Sequence, residues 1–286
     1  YIYIFILIYI SFKITRYSSF GNDAVGHLSF FYLISYILKK NINNLNLNKI
    51  LIISVFIFIN KPMLGIVFIL PVAIFFMKNY FEIKNIFKIT FSFPVLLLYL
   101  WLIKNVIVSG CLVFPIKNTC FENLSWLNIN QISYLSIEGS AWSKGWPDKV
   151  DKNITMEEFN KNFNWVGAWS KQHLKYILKI IIPFTLFLLV IIFYLKTRLI
   201  HNFIKVNNDL NLRLLLSIAL SLIGVISFFL IFPIYRYGYS YIVTLISLLL
   251  LTSIKNRIHI RKNNKIFKVV FVLCFIMVFG KQMQKI

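Results

Sequence analysis

The sequence predicts an all-α polytopic membrane protein, and its composition and the pattern of its apolar segments both point to that fold class. Hydrophobic residues make up 59% of the chain, and its mean hydropathy is +0.75. Soluble domains contain only roughly 45–50% apolar residues. The apolar segments are unbroken runs, whereas strands that span a membrane alternate apolar and polar residues. Helices are therefore expected, because lipid requires each spanning segment to pair its own backbone groups.

Basic residues give the chain a formal charge of +22, with 31 lysines and arginines against nine acids. In a soluble protein this excess would favour nucleic acid as a partner. Here the bases cluster in short loops between apolar runs, at 39–49, 78–88, 196–213 and 255–268. That pattern is typical of cytoplasmic loops. The charge therefore predicts contact with the lipid bilayer and its anionic headgroups, and no nucleic acid partner.

Apolar runs divide the chain into candidate helices that cross the bilayer in alternation. If the basic loops share one side, the connector 13–23, the polar segment 104–175 and the loop around Arg236 share the other. This predicts transmembrane helices in 1–103, an extracytoplasmic domain in 104–175 and C-terminal transmembrane helices in 176–286. The runs are 1–12, 24–38, 50–60, 63–79, 89–103, 176–195, 214–232, 241–254 and 269–280.

Two of the runs, 50–60 and 63–79, are shorter than the roughly 20 residues that a straight span needs. Lys61 and Pro62 separate them. The pattern predicts either one broken span or a hairpin of half-length helices with Lys61 at the turn. Non-helical backbone at membrane depth is tolerated where it is buried in protein or lines a cavity.

The segment 104–175 collects polar chemistry that the rest of the chain lacks. Six of the nine carboxylates, five of the six tryptophans and two of the three cysteines fall inside it. In an oxidising compartment Cys111 and Cys120 can form a disulfide worth about 3 kcal/mol; two unpaired thiols are the alternative. Residues 155–171 begin with a capping box at Thr155 and Glu158 and predict an amphipathic helix.

Aromatic and polar side chains alternate around residues 138–148, in a pattern suited to a sugar or a lipid headgroup. Glu138, Trp142 and Trp146 are candidate acceptor-binding residues on this ground. Tryptophans also anchor small domains to a membrane surface, and that interpretation stays open.

Asp23 precedes a helix and is followed four residues later by His27. An aspartate at a helix start accepts backbone N–H bonds and favours the positive end of the helix dipole. The alternative is a functional carboxylate at the membrane surface that orients an acceptor or binds a divalent metal. His27 then lies on the same helical face and joins the acceptor site; otherwise it is an interfacial packing residue.

Lys61 and Arg236 are candidate phosphate ligands. Charged residues within membrane segments tend to be functional, although a lysine there can also extend its amine to an interface. Arg236 lies between tyrosines in PIYRYGYSY, where it is either an interfacial residue or a guanidinium that binds phosphate beside Tyr237.

The order of these features resembles the class-C glycosyltransferases. The resemblance is carried by Lys61-Pro62 with Gly65 between short helices, by a span that leads into Ser109-Gly110, and by Arg236-Tyr237 opening a late span. It implies a class C fold in a bacterial inner membrane, with a polyprenyl-phosphate-linked sugar as donor. It further implies an extracytoplasmic acceptor, Asp23 as a catalytic carboxylate, and Lys61, Arg236 and Tyr237 as carrier ligands.

The motifs NDAVGH, SGC and EGSAWSKGWPD are also similar to an uncharacterised group of polytopic membrane proteins of marine alphaproteobacteria. Because the chain begins at Tyr1 inside an apolar run, we expect an N-terminally truncated fragment. We expect it to be inactive alone, since class-C enzymes place their principal acid in the first outer loop. The alternative functions are a transporter or flippase of a lipid-linked or anionic solute, and an assembly factor that binds a partner through 104–175.

Overall fold

The computed structural model describes residues 2–17, 23–78, 82–149, 151–198, 208–253, 272, 274–276 and 280. Within these ranges the chain is helical and has no β-strand. The helices are α1 (Ile2–Tyr17), α2 (Asp23–Lys39), α3 (Leu47–Asn60), α4 (Ile69–Met77), α5 (Ile83–Thr90), α6 (Phe93–Ser109), α7 (Ile129–Ser143), α8 (Met156–Asn160), α9 (Val166–Trp169), α10 (Lys175–Arg198), α11 (Asn208–Ile231) and α12 (Tyr239–Thr252).

Two helical stretches are long and apolar enough to cross a membrane: Val166–Phe193, which ends in α10, and Asn208–Ile231. A third candidate joins α5 to α6 across a bend of 50°. The remaining apolar helices, α3 and α12 among them, have 10–17 residues. By length and composition the described residues therefore contain two or three helices that could span a membrane, rather than one for every predicted apolar run.

The chain turns back on itself at Lys61. Helix α3 ends at Asn60, and the 3-10 segment Pro62–Phe68 leads into α4, which folds back against α3. The rings of Phe58 and Phe68 meet edge to face across this turn, with centroids 5.4 Å apart. A proline at the start of the returning segment suits it, because proline lacks the N–H that a first turn leaves unused.

The predicted boundary between membrane helices and the polar segment is displaced. Helix α6 runs through Ser109, beyond the expected end at residue 103, and stops where Gly110 adopts a φ of +72°. A side chain is strained in that conformation. A side chain at Gly110 is also excluded by the packing, because its Cβ would lie 2.6 Å from Leu127. The signal for the helix end was therefore this glycine.

The prediction of one amphipathic helix over 155–171 is wrong. The capping box at Thr155 and Glu158 is present and starts α8, but that helix ends at Asn160. Asn162 and Phe163 then take φ values of 50° and 61°, which interrupt the helix before α9. Phe159 on α8 and Trp169 on α9 are nevertheless buried, whereas Phe163 between these helices is 58% exposed.

Aromatic rings form the core where α1, α2, α10 and α12 meet. Tyr9 lies at its centre, with its ring centroid 5.6 Å from Phe31, 6.0 Å from Phe184 and 6.1 Å from Tyr239. All four side chains are at most 2% exposed. This packing fixes the N-terminal end of α12, which carries part of the candidate site.

The described parts of three of the four predicted basic loops contact one another. Arg213 donates hydrogen bonds to the carbonyls of Ile37 and Leu38 at the end of α2. Lys78 donates to two carbonyls of the α2–α3 loop, and Asp209 accepts from Ile42 in that loop. The fourth loop, 255–268, lies outside the described residues, as does most of 269–280.

Candidate functional site

Asp23 lies at the opposite end of α2 and pairs with two cations from distant parts of the chain. Its side chain is only 5% exposed. Oδ1 accepts a hydrogen bond from Lys61 Nζ, and Oδ2 lies 3.6 Å from Arg236 Nε. As the first residue of α2, the carboxylate also meets the positive end of the helix dipole. Lys61 and Arg236 therefore both contact the Asp23 carboxylate.

The break in the hairpin positions Lys61. The residue ends α3 and precedes the 3-10 segment, so its backbone leaves the helix while its side chain points to α2. Gly26 permits this approach, because a Cβ there would lie 2.9 Å from the Cβ of Lys61. In the sequence, Gly26 is marked only by its position three residues after Asp23. Its close contact with Lys61 is seen only in the packing of the structure.

Tyr237 lies beside both cations. Lys61 Nζ lies 3.7 Å from the centroid of the Tyr237 ring, and Arg236 Cζ lies 5.3 Å from the same centroid. Both distances suit cation–π attraction. The ring therefore helps to hold two like charges next to each other.

Two hydrogen bonds hold the elements of the site in register. His27 Nδ1 shares a short hydrogen bond with the hydroxyl of Ser240 on α12. The Tyr241 hydroxyl donates to the Met63 carbonyl, just after Lys61, at 3.3 Å. His27 is 1% exposed, so its ring contacts the protein interior, whereas the sequence suggested an acceptor-binding role.

The site is electrically positive and is exposed at Arg236. One carboxylate and two cations leave a local charge of +1. The Arg236 side chain is 35% exposed, compared with 10% for Lys61. An anion can therefore reach the cluster along the guanidinium. In the described part of the chain, no group of three or more His, Cys, Asp or Glu side chains is placed to hold a metal ion.

The polar domain docks on the corner between α11 and α12 that carries Arg236. The indole of Trp169 donates a hydrogen bond of 2.6 Å to the carbonyl of Pro233. The Trp165 and Trp169 rings each lie 5.1 Å from the Phe229 ring. The predicted tryptophans are placed differently: Trp142 on α7 is 52% exposed, and Trp146 packs on Phe159.

The other predicted residues of this domain are also placed. Glu138 is half-buried on α7. Cys111 and Cys120 are joined in a disulfide that closes the loop after α6. Trp165 and Trp169, which the sequence did not single out as site residues, make the contact with the α11–α12 corner.

The fold and the site together define a helical protein with membrane-length helices and a buried Asp–Lys–Arg cluster at one end of α2. The chain belongs to the family described as Domain of unknown function (DUF8201), whose model matches residues 1–243. That match includes Asp23, Lys61 and Arg236. No curated protein and no solved structure matches the chain.

Proposed function

We propose that this protein is a membrane glycosyltransferase that moves a sugar from a polyprenyl-phosphate carrier to an extracytoplasmic acceptor. One observation carries the proposal: Lys61 and Arg236, which are far apart in sequence, converge on the carboxylate of Asp23. The helical architecture and the order of the motifs are those expected of a class C enzyme.

The proposed binding step is an exchange of anions. In the structure the Asp23 carboxylate occupies the position between the two cations that a phosphate oxygen could take. A carrier phosphate would enter at the exposed Arg236, where a guanidinium can offer two parallel N–H donors. Lys61 would add a point charge from the hairpin. The exchange would release Asp23 from its ion pairs.

The released carboxylate would then serve the chemistry. Asp23 would take the proton from the acceptor hydroxyl as the acceptor oxygen bonds to the anomeric carbon. The bond between that carbon and the phosphate oxygen breaks, and polyprenyl phosphate leaves with its electron pair. Arg236 and Lys61 would stabilise the charge that develops on the leaving phosphate. Attack opposite the leaving group inverts the anomeric carbon.

The proposed orientation follows from the charge distribution. The end of the molecule that gathers Lys78, Arg213 and the basic loops would face the cytoplasm of a bacterial inner membrane. The cluster around Asp23 and the disulfide-bonded domain would then lie on the extracytoplasmic side, where an oxidised Cys111–Cys120 pair is stable.

Variants of Arg236 in the full-length protein test the proposal. Arg236→Ala should weaken polyprenyl phosphate binding about tenfold or more, the equivalent of one charge-assisted hydrogen bond pair. Arg236→Lys should recover part of it, because the charge remains and the bidentate geometry is lost. Binding is read by titration in nanodiscs, and transfer by release of the carrier from a radiolabelled sugar donor.

The outcomes separate the candidate functions. Unchanged carrier affinity and unchanged transfer in Arg236→Ala would remove the site from the reaction. Carrier binding with movement of the intact donor across the bilayer, and without sugar transfer, would favour the transporter or flippase alternative.

A further inference from the structure

A cleft lies between the end of α6 and the start of α7, in the polar segment 104–175. Its volume is about 470 Å³, within the range of about 300–1,000 Å³ typical of small-molecule sites. None of the ten residues that line it carries a charge. The cleft therefore offers an ionic ligand no counter-charge of its own.

The lining combines exposed aromatic rings with amide side chains. Trp126 is 57% exposed and Phe114 is 48% exposed, so both rings are accessible to a ligand. Asn128 and Gln131 are exposed beside them. The side-chain oxygen Oδ1 of Asn128 caps α7 by accepting a hydrogen bond from the Gln131 backbone N–H. This bond fixes the Asn128 side chain and leaves the Asn128 NH₂ group to donate elsewhere.

The local fold makes this lining rigid. The disulfide closes the loop that carries Phe114, and Phe121 N–H donates to the Gly110 carbonyl at the base of that loop. Leu127 packs on Gly110 at the end of α6. The backbone of the loop that carries Phe114 is therefore held by covalent and hydrogen-bond contacts and need not be ordered by a ligand, which lowers the cost of binding.

We infer that this cleft binds a neutral sugar unit. Sugars present C–H faces that pack on aromatic rings and hydroxyl groups that pair with amides, and an uncharged hexose or N-acetylhexosamine needs no counter-ion. The sugar could belong to a soluble glycan or to a glycolipid headgroup, which share this chemistry. Its role as the acceptor rests on the proposed function, whereas its binding in the cleft does not.

The test uses the full-length protein in nanodiscs and two pairs of matched variants. Trp126→Ala and Gln131→Ala change the cleft. Tyr134→Ala and Asn130→Ala change exposed neighbours on α7 outside it. The probes are an array of neutral oligosaccharides of glucose, galactose, mannose and N-acetylglucosamine, and vesicles that contain monoglucosyldiacylglycerol. A thermal scan verifies that each variant is folded.

We expect the wild type to be retained by one of these probes, and each cleft variant to bind about tenfold more weakly, with both neighbours unchanged. Retention on the array identifies a soluble glycan, and retention on the glycolipid vesicles alone identifies a headgroup. Equal binding by all variants, retention by vesicles without the sugar, or no binding to either probe would overturn the inference. Arg236→Ala leaves the cleft intact, so sugar binding by that variant separates this site from the carrier site.

Discussion

Replacing Asp23 with asparagine should destabilise the protein strongly, because it leaves two cations side by side without their anion. The substitution keeps the shape of the side chain. Lys61 is only 8% exposed, and removing one partner of a buried ion pair costs about 3–5 kcal/mol. Arg236 adds little to that figure, since its side chain is 35% exposed and water screens it.

A double-mutant cycle with Lys61→Met isolates the interaction. Each single variant leaves one buried charge without its main partner, whereas the double variant removes both charges. We therefore expect the double variant to be less destabilised than the sum of the single variants by about 2 kcal/mol. The assay is reversible unfolding in mixed micelles, and Asp23→Asn should lower Tm by about 10 °C.

Asp209→Asn is the matched control. Asp209 pairs with Arg213 at 3.0 Å within one helix, and Arg213 also keeps the carbonyls of Ile37 and Leu38 as acceptors. The Arg213 side chain is also buried, at 5% exposure, but these carbonyls still pair its guanidinium, so the loss of the Asp209 charge should cost about 1–3 kcal/mol. If Asp23→Asn costs no more than this control, or if Asp23 and Lys61 prove additive within about 0.5 kcal/mol, the ion cluster does not hold the site together.

Three further predictions concern packing, pH and the disulfide. Gly224→Ala should lower the free energy of unfolding by about 1–3 kcal/mol, because its Cβ would lie 2.1 Å from the Tyr241 ring. In Gly167→Ala the new Cβ meets nothing within 4 Å, so this control should be neutral or slightly stabilising. Chemical unfolding compares the two variants. Burial lowers the pKa of Lys144 from its ordinary value of 10.5. In the pH window just below 10.5 the unfolded chain therefore binds more protons than the folded chain, so stability should rise with pH there. Lys144→Met should abolish that rise when Tm is measured across this window. Replacing both Cys111 and Cys120 by serine should remove about 2–3 kcal/mol from the loop after α6, and unchanged hydrogen exchange of that loop would contradict this.

Much of the fold could be predicted because lipid imposes long apolar runs and places bases between them. The break at Lys61 was visible in the sequence, since a lysine and a proline separate two apolar runs, but a broken span and a hairpin both remained open. Helix ends were less visible. The end of α6 depends on Gly110 and its contact with Leu127, which are distant from the apolar pattern that predicted residue 103.

Within the site, the charged residues were predictable and their partners were not. Asp23, Lys61 and Arg236 stand out because charges in apolar surroundings are rare. The contact among these three residues depends on tertiary packing. It is created by the close approach at Gly26 and by the hydrogen bond between His27 and Ser240. A small or hydroxyl residue in an apolar helix has many uses, so its partner cannot be read from spacing.

The contact between the polar segment and α11 was not predicted, for a similar reason, and an acceptor-binding role for Trp142 and Trp146 stays a prediction. Trp142 and Trp146 were singled out because they lie among polar residues. The structure uses Trp165 and Trp169 to bind the α11–α12 corner, and the broken helix around residues 161–165 determines which rings face that corner. Backbone of positive φ at a non-glycine residue has no strong sequence signal.

The affinity of the full-length protein for polyprenyl phosphate, compared between the wild type, Arg236→Ala and Arg236→Lys, tests the central claim most directly. We expect the wild type to bind polyprenyl phosphate tightly and in a salt-sensitive manner. The affinity of Arg236→Ala should be about tenfold or more lower, and that of Arg236→Lys should be intermediate. Equal affinity across the three proteins, with each shown to be folded, would contradict it.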